Sequence, residues 1–140
     1  MWIFPEQGAD GARRLLSAIA TGQTVAIAPD LYAIEVANVL WKRRTMTGEI
    51  TADEAETALA HMHATLPRLV PTQALIDHAL HLANALETPL YDCLCLAVAL
   101  AHPPAAFVTD DRRFERRAAP LFSATVRTLR NVAAEVCATE

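Results

Sequence analysis

Glycine is scarce in this chain of 140 residues, with four in total and none in series. The glycine-rich loops that cradle nucleotide phosphates are therefore absent, and so is the G-x-S-x-G elbow of serine hydrolases. No apolar run approaches the ~20 residues of a membrane span. The first 30 residues carry no basic start, apolar block and cleavage site in the order of a signal peptide, so a cytoplasmic protein is expected. Basic residues are outnumbered, 12 Lys and Arg against 16 Asp and Glu for a net charge of −4. That balance disfavours a general polyanion binder. It leaves room for a nuclease whose acids gather around a metal, because the bases cluster at Lys42-Arg43-Arg44, Arg112-Arg113 and Arg116-Arg117.

Cysteine is also sparse, at three residues. An odd number without a secretion signal implies free thiols. Cys93 and Cys95 stand two apart in a predicted helix, where side chains diverge, so they read as core thiols rather than zinc ligands. His61 and His63 cannot share a helical face, and His78 and His81 lack a third ligand.

Alanine-rich, weakly aromatic and 53% hydrophobic, the sequence has the profile of a helical globular domain. Its length is that of one domain with one core, spanning 1–140. Helices are predicted over Ala9–Ala20, from Asp30 to about Thr47, from the Thr51–Glu54 capping box to about Leu66, from Thr72 to about Glu87, and from Thr88-Pro89 to His102. A short basic helix is predicted after Asp111. Strands are predicted at Val25–Ala28, Arg68–Val70, Ala106–Thr109 and Val126–Leu129. Before the first helix, Met1–Phe4 is an apolar fragment and Pro5–Gly8 a loop. Alternation of strand and helix gives an α/β fold with a short, mostly parallel sheet, whose sites lie beyond the carboxyl ends of the strands.

Three separated stretches deliver carboxylates to that side. In PDLYAIEVANVLWKRR, Asp30 is placed to cap the helix. Val36, Leu40, Ala37, Trp41 and Ile34 form an apolar stripe, and Glu35, Asn38 and Lys42 fall within about 60° of one another on the opposite face. In PLYDCLCLAVALA, Asp92 is the only charge on a helix that is apolar nearly all round and hence buried. With Thr88 predicted as the cap, Asp92 is not needed as one, although a first-turn aspartate gains from the helix dipole. In FVTDDRRF, Asp110 and Asp111 follow a strand end directly. Carboxylates crowded into one pocket repel unless a cation sits among them. All-oxygen ligands suit Mg²⁺ or Mn²⁺, and the chemistry they support is metal-assisted hydrolysis of a phosphate ester.

These three motifs, in this order, resemble PIN-domain ribonucleases, particularly the VapC-type toxins of bacterial toxin–antitoxin pairs. The resemblance covers nearly the whole chain. It implies a PIN-like three-layer sandwich, rich in helix, and an endoribonuclease dependent on Mg²⁺ or Mn²⁺. It also implies a homodimer held inactive by a cognate antitoxin protein. Matched motif to motif, Glu35 takes the family's helix acid and Asp92 its third acid. The last acid falls at Asp110 or Asp111 with Thr109 beside it, and Lys42, Arg112 and Thr109 are candidates to contact RNA. The sequence departs from the family at one end. A strand ending in a metal-binding aspartate normally precedes the Trp-Phe-x-Pro-Glu-like segment, here Trp2-Ile3-Phe4-Pro5-Glu6, and this chain lacks both strand and aspartate. Relative to the family it is truncated, which leaves open a second expectation: a non-catalytic module that dimerises and binds an antitoxin.

Overall fold

The computed structural model describes residues 9–65 and 67–137. The expected N-terminal fragment and Pro5–Gly8 loop lie outside these, as do the predicted helix end at Leu66 and the Cys137 thiol. In chain order the elements are α1 (Ala9–Ala20), β1 (Ile27–Pro29), α2 (Tyr32–Lys42) continued by a π-helical turn at Arg43–Thr47, α3 (Ala52–Ala64), β2 (Arg68–Val70), a 3₁₀ turn at Gln73–Leu75, α4 (Ile76–Leu86), α5 (Leu90–Ala101), β3 (Phe107–Thr109), α6 (Arg112–Ala118), β4 (Val126–Thr128) and α7 (Leu129–Cys137). The fold is helix-rich α/β with short parallel sheets, as the alternating pattern predicts. No helix among the described residues is long and apolar enough to cross a membrane.

The chain divides into two compact units, one of Val25–Val70 and the other of the residues before and after it. In the Val25–Val70 unit, β1 and β2 pair in parallel, Ala28 opposite Leu69. The Arg68 N–H donates to the Ala26 carbonyl and the Asp30 N–H to that of Val70. Alternation then turns Ile27 and Pro29 away from β2, which is the only side of a ladder where proline costs no hydrogen bond. Because the Asp30 backbone still continues this pairing, α2 starts late. Leu31, not the expected Asp30, occupies its N-cap, and no side chain caps it.

Val36 and Leu40 are the buried residues of α2, as its stripe predicts. The stripe is narrower than expected, however. Ile34 is 65% and Trp41 53% exposed, so only the Val36–Leu40 edge of the apolar arc is covered. The predicted end at Thr47 holds because Gly48 adopts φ 64°, a left-handed conformation that glycine takes without strain. The Thr51 capping box forms as predicted: Thr51 accepts from the Glu54 N–H while Glu54 accepts from that of Thr51.

The other unit holds the main core. Leu82 and Leu86 of α4, Cys93, Leu94, Leu96 and Ala97 of α5, Phe114 and Ala118 of α6, and Val126 of β4 bury one another. Phe114 is wholly buried and meets Phe107 edge-on, with ring centroids 5.2 Å apart, a favoured aromatic geometry. β3 and β4 pair in parallel, Val108 opposite Arg127. A satellite cluster of Ala12 and Leu15 against Leu129 fastens α1 to α7. Leu129, Val132, Ala133 and Val136 recur at helical spacing, and α7, which was not among the expected elements, forms there.

Two expected helix starts differ in this unit. The segment at Thr72 opens as a 3₁₀ turn without a side-chain cap bond. At α5 the cap position is taken by Pro89. Thr88 instead turns its hydroxyl to Cys93, with Oγ1 and Sγ 3.0 Å apart. The inference that Asp92 is relieved of capping by Thr88 therefore fails in its stated form.

Candidate metal centre

Asp92 stands in the first turn of α5, whose next residues Cys93 and Leu94 are buried. Its carboxyl is half-buried and makes no hydrogen bond among the described residues. Burial raises its pKa first, and the negative charge of Asp111 raises it further. Both effects disfavour the ionised form. Two segments about twenty residues apart in sequence therefore bring their acids together, at the N-terminus of α5 and the carboxyl end of β3.

The local chain explains how Asp111 is held. It is the N-cap of α6: its Oδ1 accepts from the Arg113 N–H at 2.7 Å and the Phe114 N–H at 3.1 Å. Its own N–H donates to Thr109 Oγ1 at 3.0 Å. Thr109, expected beside the acids as an RNA contact, thus braces the turn. One oxygen of Asp111 is occupied by the cap, which leaves the other for a ligand. Asp110 precedes it, exposed, with no hydrogen bond or ion pair among the described residues. The aspartate directly before a basic helical run was the available sign of this cap.

Glu35 lies in the first turn of α2 in the Val25–Val70 unit, exposed, and Lys42 is exposed at that helix's last turn. Arg112 opens α6 and is exposed. Among the described residues no three His, Cys, Asp or Glu side chains gather closely enough to hold a metal ion. The pair is Asp92 with Asp111.

The thiols beside Asp92 are poor ligands for a hard cation. Burial first, then the charge of Asp92, pushes the Cys95 pKa up to about 12, and burial raises that of Cys93. Both stay protonated at neutral pH, whereas a metal takes the thiolate. The remaining donor set is all carboxylate. It fits a hard divalent cation, which would neutralise the repulsion that raises Asp92.

The profile of the PIN domain matches residues 1–120. This chain belongs to the PIN domain family, whose members support a nuclease function and typically use divalent metal ions. No curated protein and no solved structure matches it.

Proposed function

We propose that this PIN domain is an endoribonuclease of the VapC type, the toxin of a toxin–antitoxin pair, hydrolysing RNA phosphodiesters with Mg²⁺ or Mn²⁺. The observation that carries the reading is the half-buried Asp92 beside Asp111, two like charges with no cation among the described residues paired to Asp92. An acid kept in such surroundings destabilises the fold unless it binds something positive. The VapC assignment, the antitoxin partner and a homodimer rest on the resemblance of the three motifs, and a cytoplasmic location on the lack of a signal-peptide pattern in the first 30 residues.

In this reading Asp92 and Asp111 would hold the ion through oxygen, and Glu35 and Asp110 are the further acids that the resemblance of the motifs implies. A bound divalent ion supplies a water of lowered pKa and charge stabilisation at the phosphate. The α6 cap holds the Asp111 carboxylate in place, so Asp111 would offer the ion an oriented oxygen. Lys42 and Arg112 are this reading's candidates to offset phosphate charge.

The test is cleavage of single-stranded RNA with Mn²⁺ by the parent and by the double variant Glu35→Gln, Asp92→Asn. Loss of cleavage in a folded double variant is expected. Equal cleavage by both removes the proposal. If neither cleaves but the chain still binds a cognate antitoxin, a binding module takes its place.

A further inference from the structure

The arginines of α6 are concentrated out of proportion. This helix of seven residues carries four of the 12 Lys and Arg of an acidic chain. Its core side is Phe114 and Ala118. On the helical wheel Arg112, Arg113 and Arg116 lie on the opposite side, with Arg112 and Arg116 about 40° apart on one ridge, while Arg117 flanks Phe114.

One of the four has a structural task. Arg117 reaches α4, donating to the Leu86 carbonyl at 2.9 Å and to the Glu87 carbonyl, and pairing with the Glu87 carboxylate at 3.4 Å. It satisfies the carbonyls left at a helix end that closes through Glu87 in the left-handed conformation, φ 48°. The guanidinium groups of Arg112, Arg113 and Arg116 have no such partner among the described residues, and all three are exposed. Arg112 and Arg113 also occupy the first turn, where the helix dipole disfavours positive charge. Arg112 and Arg116, one turn apart, repel each other. Arg112 and Arg113 thus bear a small electrostatic cost in the fold, whereas Arg116, in the last turn, stands where the dipole favours positive charge.

We propose that Arg112, Arg113 and Arg116 form a track for the phosphodiester backbone of an RNA strand, running from the Asp111 cap along α6. The proposal rests on the ribonuclease reading for the identity of the polyanion. Arginine is suited to the task because its planar fork binds phosphate through two parallel hydrogen bonds. At i and i+4 the side chains start about 5–6 Å apart, so each takes a separate phosphate. The track begins at the residue next to Asp111, so a strand lying on it passes the acidic pair. Arg117 is excluded from it by its bonds to α4.

The test is binding, measured without cleavage. Anisotropy of a labelled single-stranded RNA is followed in EDTA between about 50 and 200 mM salt, for the parent, Arg112→Gln/Arg116→Gln and Arg13→Gln. Arg13 is a control on α1, paired with Asp10. Each phosphate contact on a single strand contributes about 0.7 to the slope of log K against log salt. The double variant is expected to lose about 1.4 of slope and on the order of tenfold in affinity, with an unchanged or raised Tm. Arg13→Gln is expected to match the parent. An unchanged slope in the double variant overturns the track, as does an equal loss in Arg13→Gln. Tighter binding to phosphatidylserine vesicles through the same arginines overturns the RNA assignment. RNA binding that needs these arginines in a chain that never cleaves sinks the nuclease reading and leaves the track standing. Cleavage with an unaltered slope does the reverse.

Discussion

Asp111 performs two tasks that substitution separates. Its Oδ1 takes two backbone N–H groups of the first turn of α6, and its charge bears on Asp92. In Asp111→Ala both tasks are lost. Removing an N-cap carboxylate costs about 1 kcal/mol, in a range of roughly 0.5–2. At this chain length 1 kcal/mol moves Tm by about 3–4 °C. The loss lands on α6, which carries the fully buried Phe114, so the whole unit senses it. In Asp111→Asn the cap survives, because asparagine caps as well as aspartate, while one of the two repelling charges is removed. That variant is expected to keep or exceed the parent Tm in EDTA and to lose Mn²⁺-dependent cleavage. Thermal unfolding by circular dichroism, with and without Mn²⁺, reads the first effect, and RNA cleavage the second. If Asn falls in Tm as far as Ala, the carboxylate matters through its charge and the capping argument is wrong. If Asn cleaves like the parent, Asp111 does not hold the ion.

The raised pKa of Asp92 fixes the sign of a pH effect. The folded state holds the proton more tightly than the unfolded chain, so the ionised carboxyl destabilises the metal-free fold at neutral pH. That penalty fades as pH falls through the folded pKa towards the unfolded value near 3.9. Asp92→Asn is expected to exceed the parent Tm at pH 7 in EDTA, with the gap closing by about pH 4; a gap that widens in acid refutes this. Mn²⁺ should raise the parent Tm by mass action and leave the variant unmoved. At Gly11 a Cβ would lie 3.5 Å from Ala133 Cβ and 3.6 Å from Leu129 Cγ, in ordinary contact. Gly11→Ala should therefore stabilise by about 0.5 kcal/mol, whereas Gly22→Ala, at φ 75°, should destabilise by about 1 kcal/mol; urea midpoints check both.

Much of the local structure could be read from the sequence because its signals are local. Ala9–Ala20 matches its periodic pattern to the residue, and the Thr51 box is a chemical motif that specifies its own hydrogen bonds. Parallel pairing followed from the alternation of short strands with helices. The misreadings arise where tertiary demands compete with a local rule. Asp30 looked like a cap, but its backbone is committed to Val70. Thr88 looked like a cap, but its hydroxyl answers the thiol of Cys93. At the site, the lone acid of an apolar helix marked Asp92, and its neighbourhood with Asp111 is what the fold contributes. The two bonds through which Asp111 caps α6 and the use of Arg117 across to α4 depend on side-chain direction, which one sequence does not carry.

The central claim is that Asp92 serves a metal-dependent nuclease. Its most direct test is Mn²⁺-dependent cleavage of a mixed single-stranded RNA pool by this chain and by Asp92→Asn. The account predicts cleavage that requires Mn²⁺ and is lost in a variant as stable as the parent or more so. Cleavage undiminished in Asp92→Asn contradicts it.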